Sequence, residues 1–280
     1  MKVFAPAKIN LTLEVGRPRA NGLHPLQSLV MFADVGDVVE VEEAETLSLV
    51  ITGPFARTLP VTDDNLVLRA ARALNPMRGA AITLQKNLPV ASGIGGGSSD
   101  AAAALLALSE LWKVEVDLVP IAASLGADVP VCLGGESAFM TGAGECCAPI
   151  EVTPLDAVLV NPLKPLPTGD VYRRFDAMAL GGDFRESAPP ALAEKRLAIA
   201  YAKTGNHLWP AALAMMPELG DIATALANEP AALHVGLSGS GATMFALAED
   251  AADASALAGK LAGAHPDWWI KPTCLGRALT

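Results

Sequence analysis

The stretch that most constrains this chain runs from Leu88 to Asp100, LPVASGIGGGSSD, and passes directly into the alanine-rich run AAAALLALSELW. Ala80 to Gln85, just ahead of it, has the alternation of a strand, so the local order is strand, glycine-rich loop, helix. Gly93 is followed after one residue by Gly95, Gly96 and Gly97. Each glycine costs roughly 1 kcal/mol of chain entropy and returns close backbone approach and access to positive φ. So many together exceed what a turn needs. Ser98, Ser99 and Asp100 suit a helix start. A helix start offers free N–H groups and about half a positive charge, which suits a phosphate. The loop is neither of the common phosphate motifs. No lysine follows Gly97, and a serine stands where the dinucleotide fingerprint needs its third glycine. The competing reading is a tight strand-to-helix turn with no ligand.

The first residues alternate with period two. Val3, Ala5, Ala7, Ile9, Leu11 and Leu13 share one parity; Lys8, Asn10, Thr12 and Glu14 share the other. That pattern predicts a strand with one buried face. Gly36 to Glu43 and Thr46 to Thr52 read as two further strands placed to form a hairpin. Thr62 to Asn65 opens a helix that Asn75-Pro76 stops, and a second helix covers Asp117 to Leu125. Strands are predicted at 137–140, 145–152 and 157–160. Helices follow at 170–178, 191–203 and 217–227. The end reads as strand 234–237, a Gly-Ser-Gly turn, strand 243–247, helix 250–262 and strand 268–271. Three prolines between Asn161 and Pro167 place a domain junction near 150–165. Strands in groups with helices between them predict two α+β halves.

The net charge of −10 excludes a general binder of nucleic acid or anionic membrane. Charged residues are only 18%, so the chain is not disordered, and with aromatics at 5% its core must come from small side chains and close-packed helices. The uncharged stretch from Pro230 to Ala248 carries serines, glycines and a threonine near its middle, as a turn between strands does. Cys132, Cys146, Cys147 and Cys274 have neither disulfide nor zinc spacing and are expected to be reduced, buried thiols. No signal or transit segment is evident, which fits a cytoplasmic enzyme.

Several segments together resemble one family. Pro89 to Ser99 is similar to the phosphate-binding motif of the GHMP small-molecule kinases, the group of galactokinase, homoserine kinase and mevalonate kinase. Ala5-Pro-Ala-Lys-Ile-Asn-Leu11 resembles the family's first motif, and Gly236-Leu-Ser-Gly-Ser-Gly-Ala-Thr243 its third. Leu125-Gly-Ala-Asp-Val-Pro130 and Asn21-Gly-Leu-His-Pro-Leu26 look like segments of the branch whose acceptor is a cytidine diphosphate-linked methylerythritol, in non-mevalonate isoprenoid synthesis. The resemblance implies an α+β, two-lobed GHMP-kinase-type fold with mixed and antiparallel sheets and the active site in the cleft between lobes. It implies an N-terminal ATP-binding domain over 1–155 and a C-terminal domain over 156–280. The implied reaction is transfer of the γ-phosphate of ATP, with Mg²⁺, to the 2-hydroxyl of that acceptor. The implied partner is the small-molecule substrate alone, with no nucleic acid or membrane, for a monomer or homodimer.

Roles carry over residue by residue. Asp128 becomes the general base, against the local alternative of a helix N-cap. Lys8 stands beside it, and at 4 Å such a pair attracts by about 4 kcal/mol before desolvation. Pro89, Val90, Ala91, Ser92, Gly93, Ile94, Gly95, Gly96, Gly97, Ser98 and Ser99 form the ATP loop. In it Ser98 and Ser99 contact phosphate or magnesium, and the metal ligands are left unassigned. Asn10 shares the polar face of the first strand with Lys8 and bonds substrate. His24 and Tyr172 read the cytosine, and Leu23 supplies apolar contact where the branch commonly carries tyrosine. Thr168 caps a helix or touches substrate. Gly239 and Ser240 shape the site from the second glycine turn. The alternatives are a GHMP kinase with another alcohol acceptor, a serine hydrolase built on Ser238 with His234 and Asp250, and a nucleotide-binding module without turnover.

Overall fold

The computed structural model describes residues 1–187 and 190–277. The chain forms two compact units, and neither is a continuous stretch. The first gathers Met1–Lys8, Val35–Val90 and Gly95–Gly135; the second gathers Ile9–Asp34, Ala91–Ile94 and the chain from Glu136 onward. Three strands open the chain: β1 (Lys2–Asn10), β2 (Glu14–Val15) and β3 (Leu26–Glu43). β1 and β3 each give one end to the first unit and the other end to the second.

In the first unit, β4 (Leu47–Thr52) and β5 (Ala80–Gln85) join the far half of β3. β5 is antiparallel to β3, with Val38 opposite Gln85 and Glu43 opposite Ala80. It is parallel to β4, with Leu47 opposite Ala80. The expected hairpin of 36–43 with 46–52 therefore does not form, because β5 lies between the two strands. Ala80, Ile82 and Leu84 of the central β5 are buried, whereas Val50 of the outer β4 is exposed.

Four helices complete this unit: α1 (Leu66–Leu74), α2 (Gly96–Trp112), α3 (Leu118–Leu125) and α4 (Val129–Gly134). Asn65 Oδ1 accepts from the Val67 N–H at 3.0 Å and caps α1, and Asp117 Oδ1 caps α3 in the same way. α2 is buried along most of its length, from Ser99 through Leu105 and again at Ala107 and Leu108. α1, α3 and α4 all pack on it. Its alanines let neighbouring helices approach from several sides, as expected for a core short of aromatics.

The second unit carries β6 (Ala138–Thr141), β7 (Cys146–Pro149), β8 (Leu155–Asn161), β9 (His234–Leu237), β10 (Met244–Leu247) and β11 (Trp269–Leu275). The near half of β3 pairs with β2, β6 and β11, and the ladder continues antiparallel through β8, β10 and β9. Helices α5 (Thr168–Ala177), α6 (Lys195–Ala202), α7 (Trp209–Met215), α8 (Glu218–Ala227) and α9 (Ala251–Ala264) accompany this sheet. Val158 and Val160 of β8 share a core with Phe175, Leu219, Ile222 and Leu257. The fold is α+β, with the parallel pair β4–β5 joined to antiparallel ones. α7 was not anticipated. Its proline sits in the first turn, where the missing N–H costs nothing.

Two expectations need correction. β1 is buried on both faces: Lys8 and Asn10 are enclosed like Ala5, Ala7 and Ile9, and so is Thr12 just beyond the strand. All four thiols are free, but Cys146 is exposed and Cys147 half-buried on β7, which among the described residues pairs with β6 alone. The first half of β3, Leu26–Asp34, was not anticipated: the apolar run from Leu29 to Ala33 shows no alternation, since both of its faces are covered. Among the described residues no helix is long and apolar enough to cross a membrane.

Candidate active site

Lys8 sits on the polar parity of β1, 4% exposed. Its Nζ donates to Asp128 Oδ2 at 2.8 Å. Asp128 occupies the N-cap position of α4, yet its side chain caps no N–H there. The capping alternative is thus not what holds this carboxylate. Lys8 does, and the aspartate side chain remains 40% exposed. A buried lysine steering a half-open carboxylate is a suitable arrangement for accepting a proton at a defined point.

The glycine-rich loop is divided between the units. In the first unit Gly95 takes φ +63 as the N-cap of α2, and no side chain caps that helix. Ser99 N–H donates to Gly95 O at 2.9 Å. The N–H groups of Gly96, Gly97 and Ser98 therefore open the helix with no carbonyl one turn back, which is the arrangement that binds anions. A side chain at Gly95 would meet Lys8 Cβ at 3.0 Å, and one at Gly96 would meet Lys86 Nζ at 3.1 Å. Ser99 is turned inward, its hydroxyl donating to Cys132 Sγ at 3.3 Å. That geometry leaves Ser98 as the partly exposed hydroxyl of the pair. The Cys132 thiol is pushed up to about 12 by burial, which makes it inert.

Asp100 is also turned inward. Its Oδ2 accepts from Lys86 Nζ at 2.7 Å, and Lys86 donates as well to Asp37 Oδ2 at 2.5 Å. Asp37 Oδ1 accepts from the N–H groups of Asn87 at 2.5 Å and Leu88 at 2.8 Å. All three charged side chains are sealed, and Asp100 Oδ1 has no hydrogen-bond partner. Burial pushes the Asp100 carboxyl up to about 7; Lys86 opposes the shift and Asp37 adds to it. Burial alone would lower Lys86, but the two carboxylates outweigh it and hold the ammonium above its ordinary value. The sequence reading missed Lys86 and Asp37. A lone lysine after a strand reads as solvated, and the only local signal was an aspartate inside the run of valines at 35–39.

In the second unit, Ala91–Ile94 interlocks with the glycine turn between β9 and β10. Gly93 has φ +75, and a Cβ there would lie 2.5 Å from the carbonyl oxygens of both Ser238 and Gly241. Thr243 N–H donates to Ser92 O at 3.0 Å. Ser238 Oγ donates to Gly93 O at 2.9 Å and accepts from Asn10 N–H at 3.1 Å. With this hydroxyl held by backbone groups, fully buried and followed by a strand, the hydrolase alternative has no elbow and no base. Asn10 Nδ2 donates to Ser28 Oγ at 2.7 Å, while Asn10 Oδ1 is buried without a partner and lies beside Gly239. Thr168 caps nothing; its hydroxyl meets Ser240 Oγ at 2.9 Å. Asn206, which the sequence reading overlooked, donates to the carbonyls of Leu237 at 2.9 Å and Gly239 at 2.7 Å and pins the turn.

His24 and Tyr172 come together in this unit, ring centroids 5.0 Å apart at 48°. His24 Nδ1 lies 2.9 Å from Gly16 O, and Nε2 lies 3.4 Å from Asp176 Oδ2. Phe175 backs the histidine edge-on at 5.9 Å. Leu23 is exposed beside them.

The donor set for a metal is thin. Among the described residues no cluster of three histidine, cysteine or carboxylate side chains is placed to hold an ion, and Asp100 is bound to Lys86. The residues present fit a magnesium ion that arrives on a nucleotide's phosphates, since magnesium commonly keeps several waters and one or two carboxylates.

An uncapped glycine-rich helix start and a lysine-held aspartate are parts of a phosphoryl-transfer site. The GHMP kinases N terminal domain model matches residues 65–136 and the GHMP kinases C terminal model matches residues 190–267. The chain belongs to the GHMP kinases, and within them to the family of 4-diphosphocytidyl-2-C-methyl-D-erythritol kinase. A relative of that name from Cereibacter sphaeroides is 50% identical over 273 residues, covering 97% of this chain and 98% of its own. Another from Paramagnetospirillum magneticum is 47% identical over 284 residues, covering 98% of each. A crystal structure of 4-(cytidine 5'-diphospho)-2C-methyl-D-erythritol kinase superposes with a TM-score of 0.80 at 34% identity, covering 99% of this chain and all of that one. Family membership makes the chain an ATP-dependent small-molecule kinase.

Proposed function

We propose that this chain transfers the γ-phosphate of ATP to the 2-hydroxyl of 4-diphosphocytidyl-2-C-methyl-D-erythritol, giving the 2-phosphate and ADP, in the non-mevalonate route to isoprenoids. The observation that carries the reading is the Lys8–Asp128 pair at 2.8 Å, in the same unit as an uncapped helix start at Gly96. Asp128 takes the proton of the acceptor hydroxyl as its oxygen bonds to the γ-phosphorus and the bond to the leaving ADP oxygen breaks. Lys8 keeps the carboxylate aimed. The amides of Gly96, Gly97 and Ser98 receive phosphate oxygens, with Pro89, Val90, Ala91, Ser92, Gly93, Ile94 and Gly95 shaping the approach to them. Magnesium, when bound with the nucleotide, supplies neutralisation of phosphate charge. Phosphoryl transfer through a loose transition state depends mainly on such positioning and charge stabilisation, so a carboxylate is a sufficient base.

Asn10, Gly239, Ser240 and Thr168 serve the acceptor's polyol, supported by the unpartnered Asn10 Oδ1 beside Gly239. His24 and Tyr172 serve the base, supported by their mutual contact. Both nitrogens of His24 already face acceptors, so Asp176 orients the ring that the base meets. The family domains divide near residue 155, a boundary that lies between the two matched models. Four free thiols support a reducing, cytoplasmic setting.

The test is to mix the protein with MgATP and the cytidylyl acceptor and follow ³¹P signals. A new phosphomonoester with stoichiometric ADP, absent in Asp128→Asn, is expected. ATP binding without turnover would reject this acceptor and direct attention to other small alcohols.

A further inference from the structure

The nucleotide loop is fastened at both of its ends to one buried node. Asn87 and Leu88, which lead into the loop, give their N–H groups to Asp37 Oδ1. Asp100, one turn into α2 and just past the end of the loop, accepts at its Oδ2 from Lys86. Lys86 closes the circuit by donating to Asp37 Oδ2. None of the three side chains is more than 3% exposed. Burying three charges is unfavourable unless the geometry is well satisfied, and here one oxygen of Asp100 is left without a partner. Stability alone would be served better by an apolar cluster. The N-terminus of α2 has no side-chain cap, so a capping side chain does not set where its first amides point. Gly96 lies directly against the Lys86 ammonium, and any Cβ there would crowd it.

We propose that Lys86, held between Asp37 and Asp100, is the positioning residue of the phosphate loop: it ties β3, the end of β5 and the N-terminal part of α2 together, one turn behind the Gly96–Ser98 amides, and thereby fixes their direction. It touches no substrate. The inference rests on the reading that this loop holds the phosphates of ATP. It assigns the task of preorganisation to a lysine behind the loop, in a motif that lacks a lysine within it.

Two variants of Asp100 test it. Asp100→Asn keeps an oxygen for Lys86, whereas Asp100→Ala cuts the tie. Asp100→Ala should raise the KM for ATP by about tenfold while the acceptor KM stays within about twofold, because misdirected amides cost binding only where they act. Asp100→Asn should restore most of the wild-type value, a rescue that mere loss of packing would not show. If Asp100→Ala does not fold, Asp100→Ser, too short to reach Lys86, takes its place. Equal rises in both KM values, or an unchanged KM for ATP in a folded variant, would overturn the proposal. Titration of wild-type protein with ATP separates the two claims. Wild type that binds ATP beside an indifferent Asp100→Ala defeats the positioning role alone, and wild type that binds none defeats the underlying reading as well.

Discussion

Two lysines in the first unit meet aspartates at similar distances and in opposite surroundings. Lys8 reaches Asp128 at 2.8 Å and leaves that carboxylate 40% exposed; Lys86 reaches Asp100 at 2.7 Å and Asp37 at 2.5 Å, all sealed. A charge pair that is half open can change partner when a substrate arrives. A sealed one cannot, and its effect must pass through the backbone it holds. Distance therefore does not separate a chemical role from a positioning role here. Access to an outside atom does.

The largest contrast should appear in turnover. Asp128→Asn removes the proposed base while leaving an amide that Lys8 can still approach. Its kcat should fall about 10²–10⁴-fold, the usual weight of a general base, with little change in thermal midpoint. Asp100→Asn should leave kcat near wild type. If the sealed aspartate proved the more damaging to kcat, the assignment of roles would be reversed.

Stability should contrast in the other direction. Lys86→Met leaves two buried carboxylates without their cation, a change of about 3–5 kcal/mol. Lys8→Met frees a carboxylate that can rehydrate, and should cost about 1 kcal/mol or less while abolishing most activity. Urea melts of both variants make the comparison. Similar losses would mean that the Lys8–Asp128 pair is more enclosed than its exposure indicates.

How far these roles could be read from sequence depends on whether the signal was local. The glycines at 93–97 and the alanines after Asp100 announced the loop and α2, because turn chemistry and helix periodicity are short-range properties. The polar parity of β1 was visible too, but alternation alone makes it a solvent face, and only the resemblance took Lys8 to Asp128; nothing local showed that the Asn10 amide reaches Ser28. Asp128 could be singled out only through the resemblance, since aspartate before Val-Pro is also an ordinary helix cap. The Lys86 node was invisible because Asp37 and Asp100 lie 49 and 14 residues from the lysine. The placing of β5 between β3 and β4 was hidden for the same reason: strand order is a long-range choice. The inward turn of Ser99 follows from its register on α2, where the next residue must reach Lys86.

The sealed node also has a pH signature. Asp100 is raised to about 7 in the folded protein from an ordinary 3.8. Between those values the native state binds a proton that the unfolded chain has released, so stability falls as pH rises through that window and levels off above it. Lys86 is raised as well, so its contribution is complete below its ordinary 10.5 and is lost only above the folded value. Unfolding free energies from urea melts at about pH 5 and about pH 8 should differ by an amount on the order of 1–3 kcal/mol in wild type, and by much less in Asp100→Asn. A wild-type profile that rises across this window would show that Asp100 is ionised at little cost, and the node would then be less enclosed than Lys86 and Asp37 make it.

Cys132 offers the smallest and most local check. The residue is 5% exposed, its Sγ accepts from Ser99 Oγ, and the charges of Asp128, Lys8 and Asp100 all act on it. It therefore reports on whether the interior around these groups is closed to solvent. Cys146, exposed on β7, is the control within the same chain. A disulfide reagent should label Cys146 readily and Cys132 only upon unfolding, because labelling needs both a thiolate and access. In Asp100→Ala the loosened N-terminal part of α2 should make Cys132 label faster, while Cys146 keeps its rate. Acceleration at Cys132 in Asp128→Asn instead would place the mobile element on the α4 side, and the distinction between the open and the sealed pair would then need to be redrawn around α4.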